Sequence, residues 1–267
     1  MLHNVLRAYA HSGLKGSYRV PLMLADHLPS LQRVPIQIAD WPTLYMDLRL
    51  GDALRWFTGS PWPSSPRCPD EQAVIRCLVQ PGMTVYDVGA NVGLYTALCS
   101  RLVGRTGRIY SFEPNPALRS NLQRSIAEMG NVTFFPVALS ERTGEAVFYV
   151  PDDHLCASLR NWTGRPVHEL RVTTVRLDDL IEREHLPPPA FLKVDAEDAE
   201  VAIFQGAERL LREHRPIVLF EDMKEYGHHF APTRLLQSWG YTVEQVNPDG
   251  TLGAITNDAC NLVARYQ

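Results

Sequence analysis

The chain has 267 residues, is 45% hydrophobic and 21% charged, and carries a formal net charge of −4. These are values of a soluble globular protein, and with its arginines scattered rather than clustered they give no reason to expect nucleic acid as a partner. The five cysteines form no C-x-x-C pair and are odd in number, which argues against a disulfide framework or a zinc site and for a reducing, cytoplasmic compartment.

Residues 1 to about 30 read as helical, with His3, Arg7, His11, Lys15 and Arg19 interleaved among apolar residues. That pattern suits a solvated helix face packed on the main domain, or a homodimer contact, with membrane-surface binding a lesser option. The early apolar run from Pro21 to Ala25 is far too short for a membrane span or a leader core, so no integral membrane segment is expected. Val34 to Leu50 alternates loosely, as a hairpin would. Residues 56–69 hold Trp56, Trp62 and a series of prolines, which cannot form a regular element. This stretch is either a lid with exposed aromatics or a packed surface loop. Asp70 to Val79 reads as a helix with Asp70 as a cap. The division expected is an extension over 1–70 and one α/β domain over 71–267.

From Pro81 onward strands and helices alternate, which predicts a mostly parallel sheet with helices on both faces. Strands fall near 84–88, 108–112, 132–136, 191–195, 217–221, 241–246 and 260–265. Helices fall near 91–103, 116–129, 177–185, 199–213 and 232–239. An insertion over about 144–175 adds strand-like runs at 146–150 and 171–175.

The densest chemistry lies in Val85-Tyr86-Asp87-Val88-Gly89-Ala90-Asn91-Val92-Gly93-Leu94-Tyr95-Thr96. It reads as a buried strand, a glycine turn and a helix start whose free N–H groups can meet a ligand. Glu113 ends the next strand, before Pro114, where a carboxylate can accept both hydroxyls of an adenosine ribose. The pattern D-x-G-x-x-x-G lacks the second glycine of a dinucleotide fingerprint. Asp87 instead places a carboxylate near the turn, which repels a pyrophosphate but stabilises the ammonium end of S-adenosylmethionine. The sign of the charge therefore favours S-adenosylmethionine over NAD, although an NAD-linked oxidoreductase shares part of the pattern.

A second apolar strand, Phe191-Leu192-Lys193-Val194, delivers Asp195, Ala196, Glu197, Asp198 and Glu200 at its carboxyl end. Ligands of open α/β sheets bind there, which makes Asp195 the better functional candidate. Glu197 and Glu200 also serve as ordinary helix-start acids.

In these two runs, and in Phe112-Glu113-Pro114-Asn115-Pro116, Ala138-Leu139-Ser140, Leu177-Asp178-Asp179-Leu180, Gly206-Ala207 and Phe220-Glu221, the chain resembles the FkbM-type family of S-adenosylmethionine-dependent methyltransferases. The resemblance runs in order over about residues 75 to 225. It implies a class I methyltransferase (Rossmann-like) fold, with a seven-stranded sheet whose last strand is antiparallel. It also implies O-methylation, commonly of a hydroxyl on a sugar or a scaffold of natural product biosynthesis. The family pattern expects glycine after Glu197, where this chain has Asp198. That puts acceptor geometry, rather than cofactor binding, in doubt.

The roles that follow are these. Asp87 and the turn Gly89, Ala90, Asn91 and Gly93, with Tyr95 and Thr96, hold the cofactor. Glu113 and Pro114 face the ribose, and Ala138 and Leu139 lie beside the adenine. Asp195 is expected both to meet the cofactor and to serve as the favoured general base, since burial would raise its pKa toward a useful value. His229 and His228, in the loop after Glu221, are the competing bases. No metal is assigned, although Asp195, Glu197, Glu221 and Asp222 offer enough oxygen ligands for magnesium if they converge. Nitrogen methylation of a related scaffold and a catalytically degenerate cofactor-binding subunit are the remaining alternatives.

Overall fold

The computed structural model describes all residues except 1, 11, 13–16, 18, 39, 51–52, 54–55, 58–70, 152–156, 162–165, 224–229 and 267. The N-terminal part supplies helices Leu2–Ala10 and Arg19–Ala25 and a short hairpin, β1 (Val34–Ile36) with β2 (Leu44–Met46). The hairpin is fastened to helix Pro116–Ala127. The Tyr45 amide donates to Ser125 Oγ at 2.8 Å, its hydroxyl to Glu128 at 2.7 Å, and Arg124 lies over its ring. Leu31, Val34, Leu44 and Met46 are fully buried in the same apolar cluster as Leu98, Ile109 and Phe191. The extension thus shares the core of the main sheet.

That sheet is built from β3 (Thr84–Val88), β4 (Arg108–Phe112), β5 (Val132–Phe135), β9 (Phe191–Val194), β10 (Ile217–Glu221), β11 (Tyr241–Val246), β12 (Leu252–Gly253) and β13 (Asn261–Tyr266). Their spatial order is β12-β11-β13-β10-β9-β3-β4-β5. Strands β5, β4, β3, β9 and β10 run parallel, and β13 enters antiparallel between β10 and β11. This is the architecture the sequence predicts, with the last strand reversed and β12 as an unexpected edge addition. A strand of two residues leaves no period to detect. Helices cover both faces, one over the cluster of Leu98 and Ile109, the other over that of Leu192, Phe204 and Phe220.

A second sheet, β6-β8-β7, stands beside the first: β6 (Ala138–Leu139) parallel to β8 (Val167–Val175), and β8 antiparallel to β7 (Gly144–Pro151). The two strand-like runs of the insertion are therefore real and longer than predicted, while β6 is read only from the structure.

Three helix boundaries differ from expectation for local reasons. The helix expected over 91–103 begins at Leu94, because Asn91 and Gly93 occupy the left-handed region with φ of 50° and 88°. The single helix expected over 199–213 is two, Glu200–Gly206 and Glu208–Glu213, interrupted at Ala207. The helix expected from Asp70 begins at Gln72 after Glu71, and Asp70 lies outside the described residues. Cys260 is disulfide-bonded, against the expectation of reduced thiols throughout, whereas Cys77 and Cys99 are free. No helix among the described residues is long and apolar enough to cross a membrane.

Gly206 shows how tightly helix Glu200–Gly206 packs against the segment that follows β6. A Cβ there would sit 2.0 Å from the Ser140 carbonyl oxygen. Gly206→Ala is expected to cost about 3 kcal/mol by overpacking, read as a lowered urea midpoint with an unchanged slope.

Candidate active site

One cavity runs along the carboxyl ends of the parallel strands, where an open α/β sheet binds its ligand. Its wall takes Glu221 from the end of β10, Asp195 from β9, Val88 and Gly89 from β3, Glu113 from β4, and Val137 and Ala138 from beyond β5. Strand order therefore brings residues from five chain-distant segments into one continuous groove.

The β3 turn is held by its neighbours. The amides of Gly89 and Ala90 both donate to the Phe112 carbonyl at 3.0 Å. Gly89 has φ of 78°, and a Cβ on it would lie 1.8 Å from the Asp195 carbonyl oxygen. Only glycine lets the β3 and β9 ends come this close. Glu113 is buried, accepting from the Asn91 amide at 2.9 Å and the Asn115 amide at 2.8 Å. Burial pushes its carboxyl up to about 7, against the pull of those two amides.

Of the residues expected to meet the cofactor, Gly89, Ala90, Asn91, Tyr95, Glu113, Pro114, Ala138, Leu139 and Asp195 all line the cavity. Asp87, Gly93 and Thr96 are not in that wall. Asp87 lies buried behind it, with Oδ2 accepting from Thr96 Oγ1 at 2.6 Å. Its Oδ1 is buried and has no hydrogen-bond partner among the described residues. Burial raises its carboxyl, while Lys193 and Thr96 oppose the rise.

Lys193 is the site residue that sequence reading quoted without giving it a role. It is 1% exposed, donates to Asp195 Oδ2 at 2.9 Å and lies 4.6 Å from the Tyr95 ring centroid. Burial disfavours its charge, but Asp195, Glu71 and Asp87 outweigh that and hold it protonated above the ordinary lysine range. A lysine inside a four-residue apolar strand was the signal available. Glu71, Phe148 and Asn261 also reach the cavity wall and were not singled out.

Asp195 reaches the cavity, but not by the burial expected of it. Its side chain is 31% exposed and ion-paired. Asp195, Glu197 and Glu221 bring one carboxylate oxygen each to within 4.8 Å of one another. Asp222, expected to join them, is committed elsewhere, accepting from the Phe230 amide at 2.8 Å and from Thr233 Oγ1 at 2.7 Å. Glu200 is buried and caps the Ala196 amide at 2.9 Å, and burial pushes it up to about 8. It serves the turn rather than the cavity. His228, His229, Trp62, Trp162 and most of the proline-rich stretch lie outside the described residues. Trp56 is in the cavity wall.

The eight-stranded sheet with β13 reversed, a buried acid behind the first turn and a second acid after the next strand has the class I methyltransferase architecture. Residues 87–243 match the Methyltransferase FkbM domain, and the chain belongs to that family. Over 148 residues it is 29% identical to the hexuronic acid methyltransferase AglP of Haloferax volcanii, covering 53% of this chain and 58% of that protein. The FkbM methyltransferase structure from Methylobacillus flagellatus superposes with a TM-score of 0.46 at 17% identity, over 96% of this chain and 62% of that one. Aeropyrum pernix fibrillarin with bound S-adenosyl-L-methionine gives a TM-score of 0.46 at 13% identity, over 73% and 72% of the two chains. This chain thus spans less than two thirds of the length of the first two relatives.

S-adenosylmethionine is the cofactor of the family, and the site suits it. Buried Oδ1 atoms of Asp87 and Asn91 retain accepting capacity, and Glu113 lines the cavity just beyond the end of β4. Since burial holds the Glu113 carboxyl up at about 7 and ribose hydroxyls would favour its ionised form, binding should tighten by up to about tenfold per pH unit as pH rises toward 7 and level off above it. Calorimetric titration across pH 5.5–8.5 measures this, and Glu113→Gln should flatten the profile.

Proposed function

We propose that the chain transfers a methyl group from S-adenosylmethionine to a hydroxyl of a sugar or natural-product small molecule. The observation that carries this is the placement of Asp195 in the cavity wall at the end of β9, beside the β3 turn. When bound, the cofactor supplies an electrophilic methyl group on a sulfonium. The rest falls to the chain. The turn residues Gly89, Ala90 and Asn91 hold the methionine end, with Asp87 supporting the turn from behind the wall, and Glu113 accepts from the ribose. Asp195 orients the acceptor hydroxyl and takes its proton as oxygen attacks. Lys193 engages Asp195 Oδ2, which leaves the other carboxylate oxygen to face the acceptor.

The cavity wall contributes Glu71, Glu113, Asp195, Glu197 and Glu221, and no lysine, arginine or histidine among the described residues. An anionic acceptor meets like charges there, so neutral hydroxylated sugars lead the candidates. Hexuronic acids belong beside them because of the name of the Haloferax relative. Amino sugars test nitrogen as the acceptor atom.

Transfer of a labelled methyl group to such a panel tests the activity. With the acceptor found, Asp195→Asn should lower kcat by about 100-fold or more while S-adenosylmethionine affinity stays near wild type. Unchanged turnover would remove Asp195 as base. The wild-type rate should survive EDTA. A rate lost to EDTA and restored by magnesium would make Asp195, Glu197 and Glu221 metal ligands instead.

A further inference from the structure

The turn after β9 contains a backbone conformation that its residues do not favour. Glu197 and Asp198 have φ of 54° and 78°, in the left-handed region where glycine is at ease and a buried aspartate is not. Asp198 is also 2% exposed on its side chain, so its carboxylate must be compensated. The compensation comes from Arg160, in the insertion between β7 and β8, whose Nε lies 2.7 Å from Asp198 Oδ2.

The ion pair does not stand alone. Ser158 Oγ donates to the Ala196 carbonyl at 3.2 Å, on the same turn. On its other edge Ser158 exchanges two backbone hydrogen bonds with Tyr149 of β7, at 2.8 and 3.0 Å. Residues 157–160 therefore form a bridge from the β9 turn to the second sheet. Leu159, between these anchors, and Ala157, just before them, line the cavity, packed with Phe148 and Ala138. Val137 and Leu139 extend this apolar lining next to Ala138, and the acids Asp195 and Glu197 stand on the β9 turn to which Ser158 and Arg160 are tied. A flat apolar heterocycle suits the lining around Ala138, and a charged methionine tail and acceptor suit the acids.

We propose that Arg160 and Asp198 are positioning residues for cofactor binding: their ion pair fixes residues 157–160 as the outer wall of the adenosine half of the site. This rests on Glu113 marking the ribose, so that the groove beyond it, at Ala138, receives the adenine. An untethered wall must be ordered again at each binding event, which weakens the ligand without touching it. A strained, charged residue is retained at the turn because its partner holds the wall.

The test is calorimetric titration with S-adenosylmethionine and with 5′-methylthioadenosine, which keeps the adenosine and lacks the amino-acid tail. Arg160→Ala and Asp198→Asn should weaken both ligands by roughly tenfold and to the same extent. Arg160→Lys should recover much of the loss, and ligand-free Arg160→Ala should still melt in one cooperative transition, at a lowered temperature because Asp198 loses its ion pair with Arg160. Arg160 is 57% exposed on its side chain, so its replacement carries the test even if Asp198→Asn fails to fold. Affinities within twofold of wild type would overturn the proposal. So would loss of S-adenosylmethionine affinity with methylthioadenosine unaffected, which would put the wall at the methionine end. Wild-type protein that binds neither ligand would overturn the cofactor site itself, an outcome distinct from a failure of the variants.

Discussion

Lys193 places an ammonium behind a cavity that five carboxylates line. Without that charge, Asp87 and Asp195 would face each other across two strand ends in a medium that screens poorly. With it, one cation compensates Asp195 at hydrogen-bond distance and Asp87 and Glu71 through space. The cost of burying the lysine is offset only because several acids surround it, and those acids can be gathered only because the lysine is there. Strand β9 carries both ends of the arrangement, since Lys193 and Asp195 are two residues apart and lie on one face of the chain.

The same strand end sets the backbone geometry of the site. Gly89 brings the β3 turn against the Asp195 carbonyl, so the cofactor turn and the candidate base move as one body. The next residues leave β9 through a strained turn that is fastened outward to the insertion. Cofactor groove, acid cluster and second sheet are therefore coupled through one strand and the four residues that follow it. Gly206 against Ser140 adds a further backbone contact between the layers.

Much of this arrangement could be read from residue order. Strands β3, β4, β10 and β11 lie where apolar and β-branched runs predict them, and Glu113 follows β4 directly, as residue order predicts. Short elements escaped notice because two residues of strand, as in β6 and β12, carry no period. Helix starts were placed too early at Asn91 because a left-handed residue is invisible to propensity. Asp222 reads as a candidate ligand by type and place, yet its oxygens are taken by a local amide and Thr233, a choice made by packing of the segment that follows.

The class of sheet, the glycine turn after β3 and the acids at the strand ends are legible in residue order, because each depends on local pattern: period, glycine position and the sign of nearby charge. Tertiary structure decided which acids face one another, which lysine neutralises them, and that the insertion is tied to the β9 turn. Those are contacts between residues tens of positions apart, set by strand order and by the space left between packed layers, and no local pattern records them.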